Sequence, residues 1–180
     1  NSYHYGGKFI DVSEKNTEVA RRLKSVKYKF LMNYPEMDIV TNNFDIDLES
    51  VFSNQDINTQ VIFEKSFFND PMYILYSSGK PKCIIHNTGG PLIQHMKEQQ
   101  LHCDLKKNDK IFYFTTCGWM MWNWLITALS SNASILLYDG SPFFPEKDSL
   151  LKIAEEEKLD IFGVSAKYID ALRNFQISIK

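Results

Sequence analysis

The sequence lacks the features that would mark a membrane protein, a secreted protein or a polyanion-binding protein. No apolar run reaches the roughly 18 residues that a membrane-spanning helix needs, because the longest one, 119–129, is interrupted by Asn123 and Thr127. No apolar segment of the kind found in signal peptides follows the early Lys8. The formal net charge of −2 over 180 residues gives no electrostatic reason to expect nucleic acid or an anionic membrane as a partner. We therefore expect no membrane span and no nucleic-acid partner.

The chain is also poor in cysteine and lacks the common catalytic and metal-binding motifs. Cys83, Cys103 and Cys117 are an odd set without C-x-x-C spacing, so neither a disulfide framework nor a zinc ribbon is indicated. The composition favours reduced thiols and a cytoplasmic location. His95 and His102 lie seven residues apart, on the same face of one predicted helix and without neighbouring carboxylates, so we interpret them as surface or boundary residues and expect no metal site. No Ser/His/Asp or Cys/His pairing and no G-x-G-x-x-G motif is found.

What the sequence does contain is a regular alternation of strands and helices. Hydrophobic residues make up 44% of the chain and aromatic residues 14%, which suits one domain that buries roughly 70% of its unfolded surface. Apolar periodicity and turn residues predict helices over 13–24, with Ser13 as N-cap, and over 48–52, 88–102, 119–130, 150–158 and 167–174. They predict strands over 27–32, 72–76, 82–86, 109–115, 134–138 and 160–164. The predicted fold class is α/β, a mostly parallel sheet flanked by helices, with Trp122, Leu125 and Leu129 in the core.

Small and hydroxyl-bearing residues follow four of the predicted strands. They occupy positions 77–79, 115–119, 139–142 and 164–166. Because ligands of parallel α/β sheets bind at the carboxyl ends of the strands, this distribution indicates a ligand site there.

The segment from Tyr76 to Lys82 is the first candidate for binding phosphate. A loop with hydroxyl groups, a glycine and a nearby lysine can surround phosphate oxygens with backbone amides and a cation. The same residues are also common in hairpin turns, and the spacing of a Walker motif is absent. The residues alone leave both interpretations open.

Several runs of the sequence resemble the acetoacetyl-CoA synthetase family of adenylate-forming enzymes. Residues 75–79 (Leu-Tyr-Ser-Ser-Gly) and 81–86 (Pro-Lys-Cys-Ile-Ile-His) are similar to the two halves of the phosphate-loop signature of acyl-CoA synthetases. The runs 114–124, 137–143 and 162–168 resemble the acetoacetyl-CoA synthetases in particular, and the Gly-Trp-Met-Met-Trp-Asn-Trp stretch favours them over acetyl-CoA synthetases. The opening 3–8 fits the same family, so the resemblance covers nearly the whole chain.

The resemblance implies an ATP-dependent acid–thiol ligase. Acetoacetate, ATP and CoA would give acetoacetyl-CoA, AMP and pyrophosphate through an acyl-adenylate, with Mg²⁺ accompanying ATP. It implies that the ATP phosphates are held by Ser77, Ser78, Gly79 and Lys82, and that the acyl and CoA pocket is formed by Gly118, Trp119, Met120, Met121, Phe143 and Ser165. Phe143 stands where acetyl-type enzymes have Asn. Met120 and Met121 suit the hydrophobic core as well as a ligand pocket, and Ser165 is equally suited to be a helix N-cap.

The sequence departs from the family at the phosphate loop, where the Thr-Thr-Gly expected between Gly79 and Lys80 is missing. Either the loop carries a true deletion or the sequence omits an ordinarily mobile loop tip, and we favour the second. Residues 1–180 are expected to be a fragment of the N-terminal AMP-binding domain without the C-terminal domain that carries the catalytic lysine, hence with no catalytic residue of its own and inactive in isolation. The alternatives are a ligase for another short acid, such as acetate or propionate, or a non-catalytic α/β nucleotide-binding domain.

Overall fold

The computed structural model describes residues 2–32, 46–53 and 60–177. The chain divides into two compact units, Asn1–Phe63 and Glu64–Lys180. None of the described helices is long and apolar enough to cross a membrane.

The first unit contains two small sheets and two helices. Strands β1 (Ser2–Tyr5) and β2 (Lys8–Asp11) form an antiparallel hairpin, and helix α1 spans Ser13–Arg22. Strand β3 (Phe30–Leu31) pairs in parallel with β4 (Ile46–Asp47), which precedes α2 (Leu48–Ser53). Both predicted helices of this region are confirmed, but Ser13 is the first helical residue rather than the N-cap, and its amide donates to the Asp11 carboxylate at 2.8 Å.

The second unit begins with a hairpin followed by a helix. Strands β5 (Pro71–Tyr76) and β6 (Cys83–Asn87) pair antiparallel, and α3 spans Gly89–Lys97. Helix α3 continues into a π-helical turn, Glu98–His102. The predicted helix 88–102 is therefore confirmed in extent, with a change of helical geometry in its last third.

The rest of the unit is a βαβ arrangement. It comprises β7 (Lys110–Tyr113), α4 (Met120–Thr127), a 3₁₀ turn (Ala128–Ser131), β8 (Ser134–Ile135), α5 (Ser149–Glu156), β9 (Ile161–Gly163) and α6 (Ala166–Asn174). The strands form a parallel sheet in the order β8-β7-β9. This confirms the α/β class and the parallel sheet.

The core lies on both faces of β7. Ile111 and Phe112 are adjacent on the strand, so their side chains point to opposite faces, and both are buried. Ile111 packs with residues of α4 and its surroundings, including Trp124 and Leu125. Phe112 packs with side chains of α5 and α6 (Leu150, Tyr168 and Leu172). Helices therefore cover the parallel sheet on both sides.

Two expectations about individual residues were wrong. Leu129 is half-exposed rather than in the core, because the helix tightens into the 3₁₀ turn there. His95 is buried, whereas His102 is exposed, and the Glu98 carboxylate lies near His95, contrary to the expectation that neither histidine has a carboxylate neighbour. The π turn contains a bond from the Cys103 amide to the Glu98 carbonyl, five residues back, so the helical periodicity that predicted one shared environment for the two histidines does not hold.

Candidate functional site

The proposed phosphate loop is a tight connection between two antiparallel strands. The Ser77 amide donates to the Lys82 carbonyl, and the Lys82 amide donates to the Ser77 hydroxyl oxygen, both at 3.1 Å. Gly79 has φ = +80°, a conformation that glycine adopts without the steric penalty of a side chain. The loop is thus closed at its base and bent at its tip.

The tip of this loop presents donors and cations. Ser78, Gly79 and Lys80 are exposed, and their amides make no hydrogen bond to any residue in the described part of the chain. Lys80 and Lys82 add two exposed ammonium groups. Successive free amides beside cations suit an anion, so the residues that are present fit phosphate oxygens, although the Lys82 amide itself is already occupied.

A second group of predicted site residues lies at the carboxyl edge of the parallel sheet. The chain leaves β7 into 114–119, β8 into 136–143 and β9 into 164–165. Because the three strands are parallel, these exits share one edge. Gly118, Trp119, Phe143 and Ser165 all belong to those exits.

The phosphate loop does not belong to that edge. Strands β5 and β6 form their own two-stranded sheet, and within the described residues no strand pairing joins them to β8-β7-β9. The expectation that all four polar segments follow strands of one parallel sheet is therefore wrong. Three of them follow strands of that sheet, and the fourth is the loop of a separate hairpin. The six residues 77–82 are too few for the crossover that parallel neighbours need.

The beginning of α4 places its residues in different environments. Trp119 is the N-cap residue, has an extended backbone and is 57% exposed. Met120 is also exposed, but Met121 packs against the core around Trp124 and Leu125. A Cβ at Gly118 would meet no atom within 4 Å, so the chain is open to solvent there. Trp119 and Met120 are available to a ligand, whereas Met121 already has packing partners.

Phe143 and Ser165 each have a structural contact. The Phe143 ring stacks on Tyr168 with centroids 5.1 Å apart and meets Phe175 edge-on at 5.4 Å. Burial raises the pKa of the Tyr168 phenol in this cluster. Ser165 is the N-cap of α6, and its hydroxyl oxygen accepts from the Tyr168 amide at 3.3 Å. The interpretation of Ser165 as a cap is confirmed, and contact of either residue with CoA stays a prediction.

Trp122, which was expected in the core, is only half-buried and lies with Tyr138 beside this edge, where the sequence analysis had placed neither residue. With Thr115 and Leu137 they line a cleft of about 20 Å³ beside the end of β7. That volume is enough for about one water molecule. The unbroken run of large side chains at 136–138, directly after the predicted start of the strand, was the signal that could have placed Tyr138 there.

The metal expected with ATP finds few ligands here. Within the described residues, no group of three or more His, Cys, Asp or Glu side chains lies close enough to hold an ion. Mg²⁺ prefers carboxylates combined with substrate phosphates, so this part of the chain does not provide a complete protein site for it. The three cysteines are free thiols at the surface.

The chain is similar to proteins that are named acetoacetyl-CoA synthetase. No protein-family model matches it. Acetoacetyl-CoA synthetase of Danio rerio is 40% identical over 178 residues, which are 93% of this chain and 26% of the relative. Acetoacetyl-coenzyme A synthetase of Rhizobium meliloti is 53% identical over 116 residues, which are 63% of this chain and 18% of the relative.

A solved structure gives the same result for the fold. Acetoacetyl-CoA synthetase from Streptomyces lividans matches with a TM-score of 0.88 and 36% identity, over 98% of this chain and 27% of that one. The chain thus spans about a quarter of the length of these relatives. In sequence and in fold, it is a homologue of a segment of the acetoacetyl-CoA synthetases.

Proposed function

We propose that the protein is an ATP-dependent ligase that joins acetoacetate to CoA. The observation that carries this proposal is the similarity, over 93–98% of the chain, to proteins named acetoacetyl-CoA synthetase. The acetoacetate carboxylate would attack the α-phosphorus of ATP and displace pyrophosphate. The CoA thiolate would then attack the carbonyl carbon of the acyl-adenylate and displace AMP, so that two feasible steps replace direct attack on a poor electrophile.

The hairpin loop would hold the ATP phosphates during the first step. The free amides of Ser78, Gly79 and Lys80 and the ammonium group of Lys82 support this role, because they place donors and positive charge at one exposed tip. Ser77 would act differently, since its hydroxyl already fixes the base of the loop. Mg²⁺ would be held by the ATP phosphates and by residues outside the described ones, and when bound it would reduce the negative charge on pyrophosphate.

The carboxyl edge of the parallel sheet would receive the acyl group and CoA. Trp119 and Met120 are exposed at the start of α4, and the open backbone at Gly118 allows a close approach. The pocket would be supported by Met121, Phe143 and Ser165, whose packing and hydrogen-bond contacts hold the neighbouring elements in place. A cytoplasmic location is proposed with this activity, in keeping with the free thiols.

The isolated 180-residue chain is expected to be inactive, because it spans about a quarter of its relatives. Within the ligases, another short acid such as acetate or propionate is the alternative substrate. One observation favours a non-catalytic nucleotide-binding domain, namely the direct succession of Gly79 and Lys80 in the loop. That alternative requires the short loop to have lost productive phosphate binding.

Exchange of labelled pyrophosphate into ATP by the intact protein tests the first step. We expect exchange that depends on acetoacetate. Lys82→Ala should lower the exchange rate by about tenfold or more, because it removes one charge-assisted contact worth about 1.5–3 kcal/mol. Lys107→Ala, at another exposed lysine, is the control and should leave the rate unchanged. No exchange with any short acid would instead support the non-catalytic alternative.

A further inference from the structure

Tyr138 lies at the carboxyl edge of the parallel sheet and holds the loop that follows β8. Its hydroxyl donates to the Ser141 carbonyl at 2.9 Å, and the Phe144 amide donates to the same carbonyl at 3.4 Å. Within the described part of the chain, these are the hydrogen bonds that reach residues 139–142, which we call the β8 exit loop. The Tyr138 hydroxyl therefore supplies the side-chain hydrogen bond that fixes this loop.

The β8 exit loop passes directly over that hydroxyl group. A Cβ at Gly140 would lie 2.9 Å from Tyr138 Oη and 3.0 Å from Cζ. Glycine at this position therefore allows the close approach of the backbone to the phenol. Directly after the loop, the Phe143 ring stacks on Tyr168 of α6. The loop is thus held by an aromatic side chain at each end.

Tyr138 also faces the exit of the neighbouring strand. Strand β8 pairs with β7, and the centroids of the Tyr138 and Phe114 rings lie 6.4 Å apart. Trp122 lines the same small cleft as Tyr138 and belongs to the first turn of α4, which begins beside the exposed Trp119. Tyr138 therefore connects the β8 exit loop to the region that is proposed to receive the acyl group.

The accessible part of the β8 exit loop suits a neutral partner with amide groups. Asp139 is exposed and the loop contains no cation, so its charge opposes phosphate or carboxylate groups. The amides of Asp139, Gly140 and Ser141 and the carbonyls of Asp139 and Gly140 make no hydrogen bond to any described residue. Such backbone donors and acceptors complement the N–H and C=O groups of another amide. CoA carries amide groups of this kind in the arm between its thiol and its phosphates.

We propose that Tyr138 is a positioning residue for the second step of the reaction, and that the loop it holds binds the amide-bearing arm of CoA. This role rests on the proposed ligase activity. With the arm on the β8 exit loop, the thiol would reach the start of α4, where the acyl-adenylate is expected. Because the Tyr138 hydroxyl fixes the loop before CoA arrives, less conformational freedom is lost on binding.

Steady-state kinetics of the intact protein with Tyr138→Phe test the role of the hydroxyl group. The ring contact with Phe114 is kept, and the hydrogen bond to the Ser141 carbonyl is lost. We expect the KM for CoA to rise about three- to tenfold, while kcat changes by less than about twofold. The acetoacetate-dependent exchange of pyrophosphate into ATP needs no CoA and should keep its rate. Tyr28→Phe, the same change at an exposed tyrosine, is the matched control and should alter none of these values.

Pantetheine identifies the part of CoA that the loop binds, because it contains the arm and the thiol without the phosphates. As a competitor of CoA, it should lose affinity in Tyr138→Phe by the same factor as CoA does. An unchanged KM for CoA, an unchanged inhibition constant for pantetheine, or the absence of competition in the unmodified protein would each overturn the proposal.

Amide hydrogen exchange of the unmodified protein keeps the proposal falsifiable if Tyr138→Phe does not fold. The amides of Asp139, Gly140 and Ser141 have no partner among the described residues, so they should exchange quickly in the free protein and more slowly with CoA bound. Equal exchange with and without CoA would contradict the proposed contact. If the unmodified protein forms no thioester, the ligase proposal fails and this role with it. Thioester formation with an unchanged KM for CoA in Tyr138→Phe overturns the role of Tyr138 alone.

Discussion

Single side chains in this protein fix the ends of helices and the contacts between them. Ser165 caps α6, and His95 connects α3 to α4 through Thr127. Each of these side chains has one defined hydrogen bond to another residue of the chain. Their removal therefore gives a measurable change in stability with a stated cause.

Ser165→Ala should lower the free energy of unfolding by about 1 kcal/mol, because the Tyr168 amide loses its acceptor at the beginning of α6. Urea denaturation measures the change. Ser130→Ala is the control, since Ser130 is exposed and its hydroxyl is not a cap. An equal loss in both variants would show that Ser165 does not stabilise the helix as its cap.

The stability of the protein should fall as the pH drops below the ordinary histidine pKa of about 6.5. Burial lowers the pKa of His95 in the folded state, so the unfolded chain binds more protons in this range. The contribution of neutral His95 is therefore complete above that pH and is lost as the pH falls through the lowered value. Glu98 and His86 are the titratable groups that face it.

Urea midpoints between pH 7.5 and 5 check this expectation. His95→Gln should flatten the pH dependence, because the substituted side chain does not titrate. His102→Gln, at the exposed histidine of the π turn, should leave the dependence as it is. If both variants gave the same dependence of the urea midpoint on pH, His95 would not be its cause.

At the scale of elements, close packing between neighbouring strands limits which residues β9 accepts. Gly163 is paired with Tyr113 of β7, and a Cβ at this position would lie 2.3 Å from the Tyr113 ring. The glycine is thus required by the aromatic side chain beside it. Its role is in packing rather than in backbone freedom.

Gly163→Ala should destabilise the protein by about 1–3 kcal/mol, the range for overpacking a filled interior. Thermal or urea unfolding measures it. Gly118→Ala is a control, because a Cβ there meets nothing within 4 Å. In a Tyr113→Ala background the cost of Gly163→Ala should largely disappear, and its persistence would exclude the Tyr113 ring as the cause.

Local pattern predicted most of the elements, and tertiary contacts decided what it could not. The helices α1, α3, α4, α5 and α6 follow from apolar periodicity, and the parallel sheet follows from the alternation of strands with helices. The position of β5 in a separate hairpin follows from the short loop 77–82 and could have been deduced. The burial of His95 could not, because it depends on contact with α4, whose Thr127 lies 32 residues further along the chain.

The candidate site was predictable to the same degree. The three exits at the carboxyl edge are located by the parallel order of β8-β7-β9, which the sequence pattern indicates. The contacts that engage Met121 and Phe143 were not predictable, because a large apolar side chain in a loop or at a helix start suits a ligand pocket as well as a core. Only the packing partners distinguish the two roles.

At the scale of the whole molecule, the chain is one part of a larger arrangement in its relatives. It matches 98% of its own length to the Streptomyces lividans structure but only 27% of that chain. The proposal that the protein is an acetoacetate–CoA ligase is therefore to be tested on the intact protein.

The measurement that tests this claim most directly is the rate of CoA-thioester formation by the intact protein with acetoacetate, acetate, propionate and butyrate, each compared by kcat/KM. The account predicts that acetoacetate is preferred by about tenfold or more, a difference of about 1.4 kcal/mol in transition-state binding. A preference for acetate, or the absence of thioester formation with all four acids, would contradict it.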